Sequence, residues 1–140
     1  MRPDRGSEIE VGEYIAADDD HPVIEDQVTG VANGTRRAVV GIGAEEVLKV
    51  AELAHAQNKF IKHYSSGMKQ RLKLALAILA DTPLLLLDEP LSNLDRQGFD
   101  WYGEMIAGKA SGKTILVCSN TVPEEYAFCD RNVRMGDYKK

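Results

Sequence analysis

The 140 residues, 44% hydrophobic and 28% charged, suffice for one compact unit around a single core. A net charge of -5 removes any electrostatic reason to expect nucleic acid or an anionic membrane surface as a direct partner, because both reward clustered Lys and Arg. No run approaches the ~20 apolar residues of a membrane span, and the opening Met1-Arg2-Pro3-Asp4-Arg5-Gly6 has no apolar signal core. Direct membrane insertion is therefore not expected, and a cytoplasmic location is. Cys118 and Cys129 lack metal-ligand spacing and read as reduced thiols.

In chain order, the first 44 residues are the least regular, with Asp18-Asp19-Asp20, scattered glycines and short apolar runs. They predict a short strand near 8–16 and a helix near 29–40. Asn33-Gly34-Thr35 fits a glycosylation acceptor pattern, but without a secretory signal the match is set aside as chance. Residues 45–57 predict an amphipathic helix, with Val47, Leu48, Ala51 and Ala54 on one stripe and Glu45, Glu46, Lys49 and Glu52 off it. Ser65 or Ser66 then caps a further helix, whose interior over 68–81 is rich in strong helix formers. Asp81-Thr82-Pro83 stops that helix.

Leu84 to Leu87 form a short apolar run bounded by Pro83 and Asp88, which suits a parallel strand covered on both faces better than a buried helix. Phe99, Tyr102 and Ile106 mark another amphipathic helix, and 114–118 another buried strand. Helix, strand, helix, strand is the order of a doubly wound α/β core. Pro123 with Glu124 and Glu125 reads as the first turn of a further helix. Residues 132–140 are expected to close as a short hairpin.

Two places carry candidate chemistry. Asp88 and Glu89 leave a buried strand at its carboxyl end, where open α/β sheets gather ligand-binding groups. One carboxylate there can hold Mg²⁺ and its neighbour can orient or deprotonate a water. Ser65, Ser66 and Gly67 at a helix amino terminus offer free N–H groups, a hydroxyl and the positive end of a dipole, which suit a phosphate but equally describe an ordinary cap. Ala107-Gly108-Lys109-Ala110-Ser111-Gly112-Lys113-Thr114 nearly meets the phosphate-loop pattern, with Ala for the first Gly. That loop works only after a strand and before a helix. Here the order is inverted, so the segment is expected to be a helix-to-strand turn. Gly41-Ile42-Gly43 lacks the third glycine and the preceding strand of a dinucleotide site.

The ordered set Tyr64-Ser65-Ser66-Gly67-Met68, 84–90, Ser92-Asn93-Leu94-Asp95, 114–120 and Cys129-Asp130-Arg131 resembles the ATP-binding subunit of ABC transporters. By that resemblance Tyr64 to Met68 would be the signature motif, 84–89 Walker B and Ser92 to Asp95 the D-loop. The resemblance reaches back to Val28-Thr29-Gly30 and Asn33, where the family's helical subdomain starts, and to Asp20, at the Q-loop position.

The resemblance implies an α/β fold: a partial P-loop NTPase core of parallel strands flanked by helices, plus a small helical subdomain. Residues 1–27 would be a core remnant with the Q-loop-like segment, 28–64 the helical subdomain and 65–140 the rest of the core. ATP and Mg²⁺ would be the cofactors, with Asp88 serving Mg²⁺ and Glu89 acting as general base. Ser65 and the Gly67 backbone, within a signature completed by Ser66 and Met68, would touch the γ-phosphate of ATP held mainly by a partner. Asp95 would lie across the dimer interface.

Three departures bear on activity. Asn120 stands where the family has a switch histidine and can donate a hydrogen bond but carry no proton charge. Asp20 is shorter than the usual Gln or Glu, and Ser66 and Met68 replace the usual Gly and Gln of the signature. No Walker A loop precedes these motifs, so the chain is expected to be an amino-terminally truncated transporter ATPase holding half of a site. Its implied partners are a second ATPase subunit and a membrane-spanning transporter subunit, which would hold it at the inner face of the membrane. The alternative is a non-catalytic subunit that lends only its signature to a complete ATPase. The related chromosome-maintenance and DNA-repair ATPases carry long heptad coiled coils between these motifs, and none is present. Without the preceding strands, part of the sheet should lie uncovered and favour self-association.

Overall fold

The computed structural model describes residues 30–32, 35–37 and 42–138. The expected strand near 8–16 and Asp20 lie outside the described residues.

Where a helix is expected over 29–40, the backbone instead forms an antiparallel pair, β1 (Gly30–Ala32) and β2 (Thr35–Arg37), with Ala32 opposite Thr35. The two residues between the strands are Asn33-Gly34, a dipeptide strongly favoured in two-residue hairpin loops. That local preference outweighs the weak apolar spacing of Val31, Ala38 and Val39. The pair lies within residues 28–64, the segment expected to be a helical subdomain.

Helix α1 (Ala44–Val50) buries Val47 and Leu48, as its stripe requires, but stops seven residues short of the expected end at 57. Ala51 caps it and Glu52 turns left-handed at φ 60. The Glu52 N–H then donates to the Lys49 carbonyl at 3.0 Å and the Leu53 N–H to the Leu48 carbonyl at 2.7 Å. This is the paired ending that glycine usually makes, with Leu48 and Leu53 both buried in the core. Short 3-10 turns at Ala54–Ala56 and Ile61–His63 lead into the next helix.

Helix α2 (Ser66–Leu79) starts as the sequence predicts, with Ser65 Oγ accepting from the Met68 N–H at 3.2 Å. It ends two residues before Asp81, where Ala80 is extended. Lys113 Nζ donates to the Ala80 carbonyl and, at 3.1 Å, to the Thr82 carbonyl, satisfying groups beyond the helix end.

Strand β3 (Leu84–Asp88) pairs in parallel with β4 (Thr114–Cys118), Leu84 opposite Thr114 and Asp88 opposite Cys118. Helix α3 (Arg96–Lys109) makes the crossover that a parallel pair needs. Of the near phosphate-loop match, residues 107–109 end α3 and 110–113 form the expected helix-to-strand turn before β4, with Gly112 at φ 80, so the order is the inverse of a phosphate loop's. Leu85 and Leu87 point into a core shared with Leu72, Ile78, Tyr102 and Ile106. The other face is open: Leu84, Leu86 and Leu116 are 48%, 54% and 59% exposed. Cover on both faces, expected for the leucine run, is thus absent among the described residues, whereas the expected open face is present.

After β4, the helix expected at Pro123 is a single 3-10 turn, Pro123–Glu125. Residues 132–138 form no hairpin. Met135–Tyr138 is another 3-10 turn with Met135 and Tyr138 exposed, and among the described residues no strand pairs with it.

Candidate functional site

Parallel pairing brings the ends of β3 and β4 to one edge of the sheet. Asp88, the last residue of β3, is exposed there, and the Glu89 N–H prolongs the ladder by donating to the Cys118 carbonyl at 2.9 Å. Glu89 then leaves with φ 42, which turns the chain sharply. Asn120 follows β4 at the same edge, beside Thr121 at φ 72. Asp88, Glu89 and Asn120 therefore lie at the carboxyl end of the parallel strands.

The turn that follows Glu89 is braced from two sides. Gln70 Nε2 on α2 donates to the Pro90 carbonyl at 2.9 Å, and the Leu91 N–H donates to Glu125 Oε1 at 3.0 Å. Glu125 is 2% exposed, and its other oxygen, Oε2, is buried without a hydrogen-bond partner. Tyr102 donates its hydroxyl to the Glu125 carbonyl at 2.9 Å. Burial pushes the Tyr102 phenol well above its ordinary range, and the neighbouring negative charges of Cys129 and Glu125 add to the shift.

Beyond the brace the chain reaches the second group. Asn93 adopts φ 63 and Asp95 caps α3, its Oδ1 accepting from the Gly98 N–H at 2.8 Å. Gly67, in the first turn of α2, lies so close to this segment that a Cβ would sit 3.0 Å from the Asn93 carbonyl oxygen. Residues 65–68 and 93–95 consequently share one open cleft of about 580 Å³, whose remaining walls are Glu52, Leu53, His55, Arg71 and Gln97. The Ser66 and Gly67 N–H groups open a 14-residue helix and have no intrahelical acceptor, while Ser65 and Ser66 are exposed.

The candidate residues thus fall into two places. Ser65, Ser66, Gly67, Met68 and Asp95 line the cleft; Asp88, Glu89 and Asn120 stand at the strand edge and do not line it. The Gln70 bond to Pro90 joins the two. Sequence reasoning missed Glu52, His55, Arg71 and Gln97 as cleft residues and Gln70 and Glu125 as braces. The close contact of Gly67 sets the start of α2 against the segment before α3, and the N–H groups of that first turn, which lack intrahelical acceptors, suit an anion. Mg²⁺ is ordinarily held by one or two carboxylates with waters and phosphate oxygens, so the Asp88–Glu89 pair fits it without further protein ligands. Among the described residues no cluster of three or more His, Cys, Asp or Glu could hold a metal alone. No described helix is long and apolar enough to cross a membrane.

Residues 8–92 match the family profile described as ABC transporter. The chain is 40% identical over 89 residues to the glucose import ATP-binding protein GlcV of Saccharolobus solfataricus, covering 62% of this chain and 25% of that protein. It is 33% identical over 122 residues to the Nod factor export ATP-binding protein I of Cupriavidus pinatubonensis, covering 86% and 38% respectively. It is 36% identical over 97 residues to the bacitracin transport ATP-binding protein BcrA of Enterococcus faecalis, covering 68% and 32%. The chain spans between 25% and 38% of the length of these relatives.

Proposed function

Since the chain belongs to the ABC transporter family of ATP-binding proteins, we propose that it serves in a transporter's ATPase and supplies the signature side of an ATP site. The observation that carries this is the packing of Gly67 on Asn93, which makes one cleft from the start of α2 and the segment before α3. A phosphate entering it meets the Ser66 and Gly67 N–H groups, the Ser65 and Ser66 hydroxyls and the positive end of the α2 dipole. Met68 completes that wall, and Asp95 faces the interface with the second ATPase subunit.

On the strand edge, Asp88 would hold Mg²⁺, Glu89 would orient and deprotonate an attacking water, and Asn120 would donate a hydrogen bond to phosphate. Bound Mg·ATP would supply the phosphoryl group and neutralise its developing charge. Asp20 is assigned to the Q-loop position. We place the phosphate that this cleft meets on ATP held mainly by the partner ATPase subunit. A membrane-spanning transporter subunit would then hold the assembly at the inner membrane face.

The test uses the ¹⁵N-labelled chain titrated with inorganic phosphate and with Mg·ATP. Amide shifts should concentrate at Ser66, Gly67 and Met68. Shifts spread over unrelated surfaces, or none at all, would refute the phosphate assignment. In a hydrolysis assay the chain should be inactive alone. Added to a complete ATPase subunit of the family, it should raise turnover, and Ser65→Ala should remove the gain.

A further inference from the structure

Glu52 stands at the end of α1 with φ 60, where glycine is the favoured residue and a Cβ is penalised. Such a conformation persists where surrounding contacts hold it, and it often marks a working site. Besides the two backbone hydrogen bonds of the helix end, an ion pair ties its side chain down: Arg71 Nη1 donates to Glu52 Oε2 at 2.5 Å. The Arg71 side chain is only 12% exposed, with its guanidinium 5.0 Å from the centre of the Trp101 ring. Trp101 in turn donates Nε1–H to the Val50 carbonyl at 2.9 Å. The three contacts tie the end of α1 to α2 and to α3.

Glu52 and Arg71 both line the cleft that receives the first turn of α2. We propose that they are positioning residues for this cleft: the Glu52–Arg71 pair, seated on Trp101, fixes the wall carrying Leu53 and His55 at a set spacing from Ser66 and Gly67. The inference rests on the phosphate-binding reading of the cleft and deepens it. A guanidinium so nearly buried needs a compensating carboxylate and a planar surface, and lysine offers neither the fork nor the stacking. A positioning role and a charge role predict opposite results. As a charge, Glu52 would repel phosphate and its loss would tighten binding; as a positioner, its loss loosens the wall and weakens binding.

The experiment compares the full chain with Glu52→Gln, Glu52→Gly and Arg71→Lys. It follows Ser66 and Gly67 amide shifts during titration with inorganic phosphate, emission of Trp101, the sole tryptophan, and thermal melting. Glu52→Gln keeps a carbonyl acceptor for Arg71 and should retain the emission and affinity of the parent chain. Glu52→Gly relieves the left-handed backbone and should melt no lower, yet shift the emission and weaken phosphate binding about threefold to fivefold. Arg71→Lys should repeat that weakening.

Phosphate affinity unchanged in both Glu52→Gly and Arg71→Lys would overturn the inference while leaving the cleft reading intact. Equal tightening in Glu52→Gln and Glu52→Gly would overturn it in favour of charge alone. No response to phosphate in the parent chain would sink the cleft reading itself, and the positioning role with it.

Discussion

Glu125 is the only charged residue buried among the described ones, and removing it tests how the acid-bearing turn is held. Its Oε1 accepts from the Leu91 N–H, and Leu91 is itself 3% exposed, so water cannot replace the lost acceptor. A hydrogen bond to a charged acceptor is worth about 1.5–3 kcal/mol, and the stranded donor and vacated volume bring Glu125→Ala to a loss of about 2–4 kcal/mol. Glu125→Gln should behave differently. It keeps a carbonyl for Leu91 and replaces the buried, unpartnered Oε2 by a neutral amide, trading a charge-burial cost for a smaller unsatisfied group. The expected change is within about 1 kcal/mol of the parent, in either direction. Urea unfolding followed by Trp101 emission reads both variants, and exchange of the Leu91 amide reports the bond directly. If Glu125→Ala is as stable as the parent, or Glu125→Gln loses as much as Ala, the turn is not held by this carboxyl oxygen.

Two more predictions follow from burial. Because Tyr102 titrates well above its ordinary 10.0, mainly through burial, the folded state keeps a proton that the unfolded state loses. Its stabilising contribution is complete below pH 10 and declines as pH rises above it. Urea midpoints of the parent should fall with alkali more steeply than those of Tyr102→Phe, and parallel curves would refute the assignment. The open sheet face should drive self-association: sedimentation velocity of the parent should show concentration-dependent species that Leu86→Lys and Leu116→Thr diminish. A monomer at every concentration would refute it.

The elements legible in sequence are those whose local signals agree. Ser65 before a Leu- and Ala-rich run gave α2 its start, and Pro83 and Asp88 bracketed β3, because cap, propensity and boundary each point one way. The antiparallel pair of 30–32 with 35–37 could have been suspected from the intervening sequence Asn33-Gly34, a dipeptide favoured between paired strands, but apolar spacing argued for a helix. The early stop of α1 was not readable, since a glutamate rather than a glycine takes the left-handed position. The strand-edge residues were legible because strand ends carry them in sequence. The cleft was legible only on its α2 and pre-α3 walls. Glu52 and Arg71 are 19 residues apart, and nothing local announces that they meet. Glu125, after a proline at a turn start, reads as a solvent-facing residue; only tertiary packing buries it.

The backbone itself marks the site independently of those motifs. Among the described residues four without a glycine's freedom have positive φ: Glu52, Glu89, Asn93 and Thr121. Glu52 and Asn93 line the cleft, Glu89 bears the acid pair, and Thr121 adjoins Asn120. Asparagine tolerates this region, whereas a β-branched threonine is the least suited to it. Thr121 is exposed, and its hydroxyl bonds only to the adjacent Asn120 carbonyl, at 2.5 Å. Replacing it by glycine should recover about 1–2 kcal/mol of steric cost, less about 0.5–1 kcal/mol of added unfolded-state freedom. The expected net is a small stabilisation, up to about 1.5 kcal/mol, seen as a raised urea midpoint. Asn120 should become more mobile at the same time, with lower order parameters for its backbone and side-chain amides. A protein that is both more stable and looser at Asn120 would mean that strain holds the strand-edge residues in place. A marked loss of stability would mean instead that the Thr121 side chain, and not its backbone geometry, secures the loop.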